Sequence, residues 1–107
     1  MKSEVIQKNG WTVLAVQGRI DTATSPGFEK AVAEQLATEL SKLALDLSEV
    51  DYISSSGLRV LLSTLKKLHA GGGKLVLVNP QPYVMEVLDV SGFSGIFTIV
   101  DELPESI

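Results

Sequence analysis

Three consecutive serines, Ser54-Ser55-Ser56, stand directly before Gly57 and an apolar helical pattern. A helix start leaves backbone N–H groups unpaired, and one side-chain oxygen is enough to cap it. The remaining hydroxyls are therefore available for something else, although an over-provided cap followed by a packing glycine would serve stability alone. A phosphate on such a serine would meet the positive end of the helix dipole and free amide hydrogens. That position tolerates about −2 of added charge without unfolding. Two carboxylates, Asp21 and Asp46, follow or end strands and form a candidate acid–base pair, each with a turn-forming or capping role as the simpler reading.

Other chemical signatures fail on context. Gly71-Gly72-Gly73-Lys74 lacks the first glycine of a phosphate-binding loop and precedes a strand, so it reads as a helix stop. Ser63-Thr64-Leu65-Lys66 has the S-x-x-K spacing but sits inside a helical pattern without its companion motifs. The lone His69 falls in a last helical turn, where its charge complements the dipole. With no cysteine, the chain has neither a disulfide scaffold nor a thiolate zinc site, and no metal or cofactor is expected. Nine basic against thirteen acidic residues give a net charge of −4, which argues against non-specific nucleic-acid binding. No apolar run approaches the roughly 20 residues a membrane helix needs. Met1-Lys2-Ser3-Glu4 leads into alternation rather than a secretory signal, so a cytoplasmic domain is expected.

The elements that must position these residues follow from periodicity. Ser3–Lys8 alternates, Asn9-Gly10 is a type I′ turn signal, and Trp11–Gln17 is a central strand ended by Gly18. Arg19–Pro26 reads as a loop running to a helix start, with Ser25 as N-cap and Pro26 in the first helical position. Phe28, Val32, Leu36 and Leu40 give that helix its apolar stripe. Leu43–Leu47 is a short strand and Ser48–Ile53 a connection. Leu58, Leu61, Leu62, Leu65 and Leu68 mark a second helix, stopped at Gly71. Lys74–Val78 is a buried strand, Val84, Val87 and Leu88 belong to a third helix, and Phe97–Val100 is a last strand. Pro104–Ile107 has room to begin a helical turn. The order β-β-α-β-α-β-α-β predicts one α/β domain over residues 1–107. Its mixed sheet has four to five strands, with an antiparallel opening hairpin, parallel crossovers and helices packed on it.

The run Asp46-Leu47-Ser48 through Tyr52-Ile53-Ser54-Ser55-Ser56-Gly57-Leu58 resembles the signature of STAS domains, and more specifically of bacterial anti-sigma factor antagonists. The hairpin, the Gly18-Arg19-Ile20-Asp21 turn, Gly71–Val78 and Gly92-Phe93…Ile96-Phe97 extend the resemblance over the chain. It implies a STAS-like fold and a partner-switching role in sigma-factor-dependent transcription, as substrate and binding partner rather than enzyme. Ser55 would be the phosphoacceptor, with Ser54 and Ser56 as secondary candidates. An anti-sigma factor serine kinase would phosphorylate it with ATP, and a PP2C-type phosphatase would reverse this. Asp21, Ser48, Ser54, Ser56, Gly57 and Arg59 would face the partner. Many such antagonists carry aspartate directly before the phosphoacceptor; here the residue is Ser54. Two other readings stay open: an unphosphorylated STAS module that senses a nucleotide or lipid or scaffolds a protein, and a small acid–base enzyme using Asp21 and Asp46.

Overall fold

A computed structural model describes residues 1–104 of the chain, so the turn expected over 104–107 lies, apart from Pro104, outside the described residues. Strand β1 (Lys2–Lys8) pairs antiparallel with β2 (Trp11–Ile20) across the Asn9-Gly10 turn. Both turn residues have positive φ, 55° and 81°, as a type I′ hairpin requires. Helix α1 (Ser25–Leu36), β3 (Lys42–Ile53), α2 (Ser55–Ala70), β4 (Lys74–Val78), α3 (Pro82–Val90) and β5 (Thr98–Val100) follow. A short 3₁₀ turn, Phe93–Gly95, leads into β5, which begins one residue later than Phe97.

The five strands lie in sequence order, β1-β2-β3-β4-β5, and every pair after the hairpin is parallel. Right-handed crossovers between successive neighbours all rise on the same side. All three helices therefore cover one face, where Phe28, Val32, Leu61, Val84 and Leu88 pack on Leu43, Leu45, Leu47 and Leu77. The opposite face carries a smaller cluster, Trp11, Val13, Ala44, Val76 and Val78, against which Val100 and Leu103 lie.

Three sequence expectations need correction. Gly18 does not end β2; it takes a φ of 103° at an irregularity, and the strand continues to Ile20. Ser48–Ile53 is not a connection but the second half of β3. Two register shifts, between Ala15 and Gln17 and between Gly18 and Arg19, each give β3 an extra residue against β2. After Leu47 the residues buried under the helices are Val50 and Ile53, a spacing of three that hides a bulged strand from a search for alternation. Helix α1 stops at Leu36, short of Leu40, because the Thr38 hydroxyl and amide both donate to the Gln35 carbonyl and satisfy the end of the helix.

Candidate functional site

Strands β2 and β3 end together, and the Ser54 amide donates to the Ile20 carbonyl at 2.8 Å, fixing the start of α2 beside the β2–α1 loop. Ser54 is the N-cap: it has extended backbone, and its hydroxyl accepts the Gly57 N–H at 3.4 Å. The same hydroxyl pairs with Ser56 Oγ at 2.8 Å, and Ser56 Oγ pairs with Ser25 Oγ at 3.0 Å. The Ser25 hydroxyl donates to the Asp21 main-chain carbonyl at 2.6 Å.

A carbonyl only accepts, so the direction of the whole relay is determined. Ser25 spends its proton on Asp21 and must accept from Ser56, which in turn accepts from Ser54. The protons of Ser54 and Ser56 are thus committed inside a chain that ties α2 to α1. Ser55, the first residue of α2, is exposed, and its side chain belongs to no hydrogen bond among the described residues. Its hydroxyl is the free one of the three.

Asp21 organises the neighbouring loop. Its Oδ1 accepts the N–H groups of Ala23 and Thr24, both at 3.0 Å, and its Oδ2 meets Arg19 Nε at 3.5 Å. The Thr24 hydroxyl shares its proton between the Arg19 carbonyl at 2.7 Å and Asp21 Oδ1 at 3.2 Å, and accepts the Asp21 N–H at 2.9 Å. Asp21 thus ties down the turn that leads into α1, whose N-cap is Thr24 without a side-chain cap bond; Ser25, expected to be the N-cap, is instead the first helical residue and a relay member. Chiefly the Thr24 backbone N–H holds the Asp21 carboxyl below its ordinary 3.8. Desolvation opposes this, and the Thr24 hydroxyl, Arg19 and the Ala23 N–H add to it. A lowered native pKa means the carboxylate stabilises the fold above the unfolded value, and that this support disappears as pH falls through the lower native one. The difference in melting temperature between wild type and Asp21→Asn is accordingly expected to be constant from neutrality to about pH 4 and to shrink below it. Thermal melts across that range check this; a gap as wide at pH 2 as at pH 7 contradicts it.

Beside the loop, the Arg19 guanidinium lies 4.2 Å over the Tyr52 ring, which stacks on Tyr83 at 5.8 Å and 17°. This ladder crosses the ends of β2 and β3 to the start of α3, with Arg19 and Tyr83 exposed. The sequence reading missed it. The sequence carries no local signal for it, because the Arg19–Tyr52 pairing arises from the shifted register.

The expected site residues separate into groups. Asp21, Ser54, Ser55 and Ser56 come together, and Arg59 is exposed one turn along α2. Gly57, expected to face the partner, is buried: a Cβ there would lie 2.7 Å from both Ile20 and Ile53. Ser48 is half-buried at the first bulge, its amide on Asp46 Oδ1 and its carbonyl taking Gln81 Nε2 at 2.8 Å. Asp46 lines a groove on the helix-free face with Ile6, Val13 and Val78, whereas Asp21 sits at the β2–α1 loop. The structure does not assemble these two carboxylates into one acid–base site.

No helix among the described residues is long and apolar enough to cross a membrane. The STAS domain family matches residues 2–106. BtrV of Bordetella bronchiseptica, whose name places it with anti-sigma factor antagonists, is 37% identical over 101 residues, spanning 94% of this chain and 87% of that protein. An anti-sigma-B factor antagonist of Listeria monocytogenes is 32% identical over 84 residues, 78% of this chain and 74% of its own. The crystal structure of an anti-sigma factor antagonist from Mycobacterium paratuberculosis superposes with a TM-score of 0.86 at 29% identity, covering 95% of this chain and 86% of the other. The bulged strand, the serine-rich helix start and these likenesses agree, and the chain belongs to the STAS domain family.

Proposed function

We propose that the chain, residues 1–107 acting as one STAS domain, is an anti-sigma factor antagonist of the cytoplasm, controlled by reversible phosphorylation of Ser55. The observation that carries this is the exposed, uncommitted Ser55 hydroxyl beside two hydroxyls locked in the relay. The names of its relatives supply the partner class. Unmodified, the face formed by Asp21, Arg19, Tyr52, Ser55 and Arg59 docks on an anti-sigma factor serine kinase and displaces a sigma factor. Arg and Tyr anchors of the kind in the ladder commonly carry most of the energy of such contacts.

Asp21 is a poor base, since its oxygens already accept the Ala23, Thr24 and Arg19 donors. Removal of the Ser55 proton therefore falls to a base on the kinase, and the chain is a substrate rather than a catalyst. The Ser55 oxygen attacks the γ-phosphorus of ATP, the bond to the bridging oxygen breaks, and ADP leaves. A PP2C-type phosphatase restores the hydroxyl: water attacks the phosphorus, the Oγ–P bond breaks, the serine oxygen takes up a proton and inorganic phosphate leaves. The added charge of about −1.5 to −2 at Ser55 repels the docked kinase without refolding.

Incubation with an anti-sigma factor serine kinase and ATP, followed by intact mass and peptide mapping, tests the assignment. One phosphate on Ser55, absent from Ser55→Ala, is expected. A phosphate mapped to Ser54 or Ser56, or none, overturns it.

A further inference from the structure

We propose that Arg59 is the built-in counter-charge of a phosphate on Ser55, so that modification withdraws this guanidinium from the docking face at the same time as it adds a dianion. The inference rests on the phosphorylation of Ser55 argued above and concerns what the chain itself does with the phosphate.

Ser55 and Arg59 both lie in α2, four residues apart, and both are exposed. At that spacing two side chains share a helix face, with Cβ atoms about 5–6 Å apart. Helical Cα–Cβ bonds tilt toward the N-terminus, so the long Arg59 side chain leans back toward Ser55. An acidic group N-terminal to its basic partner is the favoured orientation of such a pair. A guanidinium is also the side chain best matched to two phosphate oxygens at once.

The competing charges do not claim Arg59. Among the described residues the one ion pair joins Arg19 to Asp21, which leaves that carboxylate occupied. Glu29 of α1 lines the same groove as Arg59, together with Thr22 and Ser56, but forms no ion pair with it among the described residues. Arg59 is thus the cation placed to answer a phosphate at Ser55. A partner that had contacted Arg59 in the unmodified chain would lose that contact as well as meeting the new charge.

The test uses full-length chain carrying phosphoserine installed at position 55 during translation, so no kinase is needed. ³¹P NMR follows the second phosphate ionisation, ordinarily near pH 6. Arg59→Gln is expected to raise the midpoint by about 0.3 pH unit, and Arg59→Lys by less, with the difference shrinking in about 1 M salt. The Arg59 Nε–H resonance is expected to move on phosphorylation. Equal midpoints for wild type and Arg59→Gln overturn the proposal. Because the phosphate is genetically placed, failure here leaves the kinase assignment standing, and failure of kinase labelling leaves this measurement intact.

Discussion

Ser55→Asp is expected to bind an anti-sigma factor serine kinase about a hundred-fold more weakly than wild type, while Ser55→Ala binds within a few-fold of it. Like charges brought together across a docking face cost several kcal/mol when both are desolvated. An aspartate carries about half the charge of a phosphoserine, and a hundred-fold loss corresponds to about 2.7 kcal/mol. Unfolding is not an alternative cause of that loss. The first turn of α2 has no acidic residue, and a carboxylate there meets the positive end of the helix and free N–H groups. Such a placement stabilises by about 0.3–1 kcal/mol. Ser55→Asp is therefore expected to melt at or slightly above the wild-type temperature while losing its partner. Calorimetric titration of the three proteins, repeated in high salt to screen the repulsion, measures both quantities. Equal affinities for the alanine and aspartate forms would remove charge as the basis of switching.

The parts of this site that were legible in the sequence are the local ones. Asn9-Gly10 announces the hairpin because its backbone demand is confined to two residues. A serine cap before α2 and a glycine stop after it are readable for the same reason; the structure gives these roles to Ser54 and, with φ of 78°, to Gly72. The far half of β3 was not legible, since the two bulges convert an alternating strand into one whose buried residues recur every third position. With that half misread as a loop, the Arg19–Tyr52 pairing and the stack on Tyr83 had no register to follow from. The Ser25–Ser56 bond joins residues 31 apart in sequence. Its existence depends on how α1 and α2 settle on the sheet, which local propensity does not specify. The serine triplet was visible as a surplus of hydroxyls; the particular hydroxyl left free became apparent only from the direction of the relay.

Gly57→Val is expected to cost about 3 kcal/mol and lower the melting temperature by roughly 10–20 °C, and Gly57→Ala, which brings the same Cβ without the two further methyl groups, to lose part of that. Gly57 is buried and is absent from the residues with positive φ, so the position demands space rather than a glycine backbone. A Cβ would sit 2.7 Å from Ile20 Cγ2 and 2.7 Å from Ile53 Cγ1. Both are β-branched side chains held in the core, with little freedom to rotate away. The start of α2 must then lift from the strand ends. Alanine recovers up to about 1 kcal/mol of helix propensity against that strain, whereas valine recovers less and adds two further methyl groups. A conformational requirement would penalise both substitutions alike, so the graded series separates the two causes. Lifting α2 also pulls the Gly57 N–H from Ser54 Oγ, the weakest link of the relay at 3.4 Å, and with it the donor that begins the chain to Asp21. Amide hydrogen exchange is therefore expected to accelerate at Gly57 and Leu58 in the valine variant before the sheet opens. Wild-type melting and exchange in Gly57→Val would mean that the two isoleucines yield, and that close approach of helix to strand does not position Ser55.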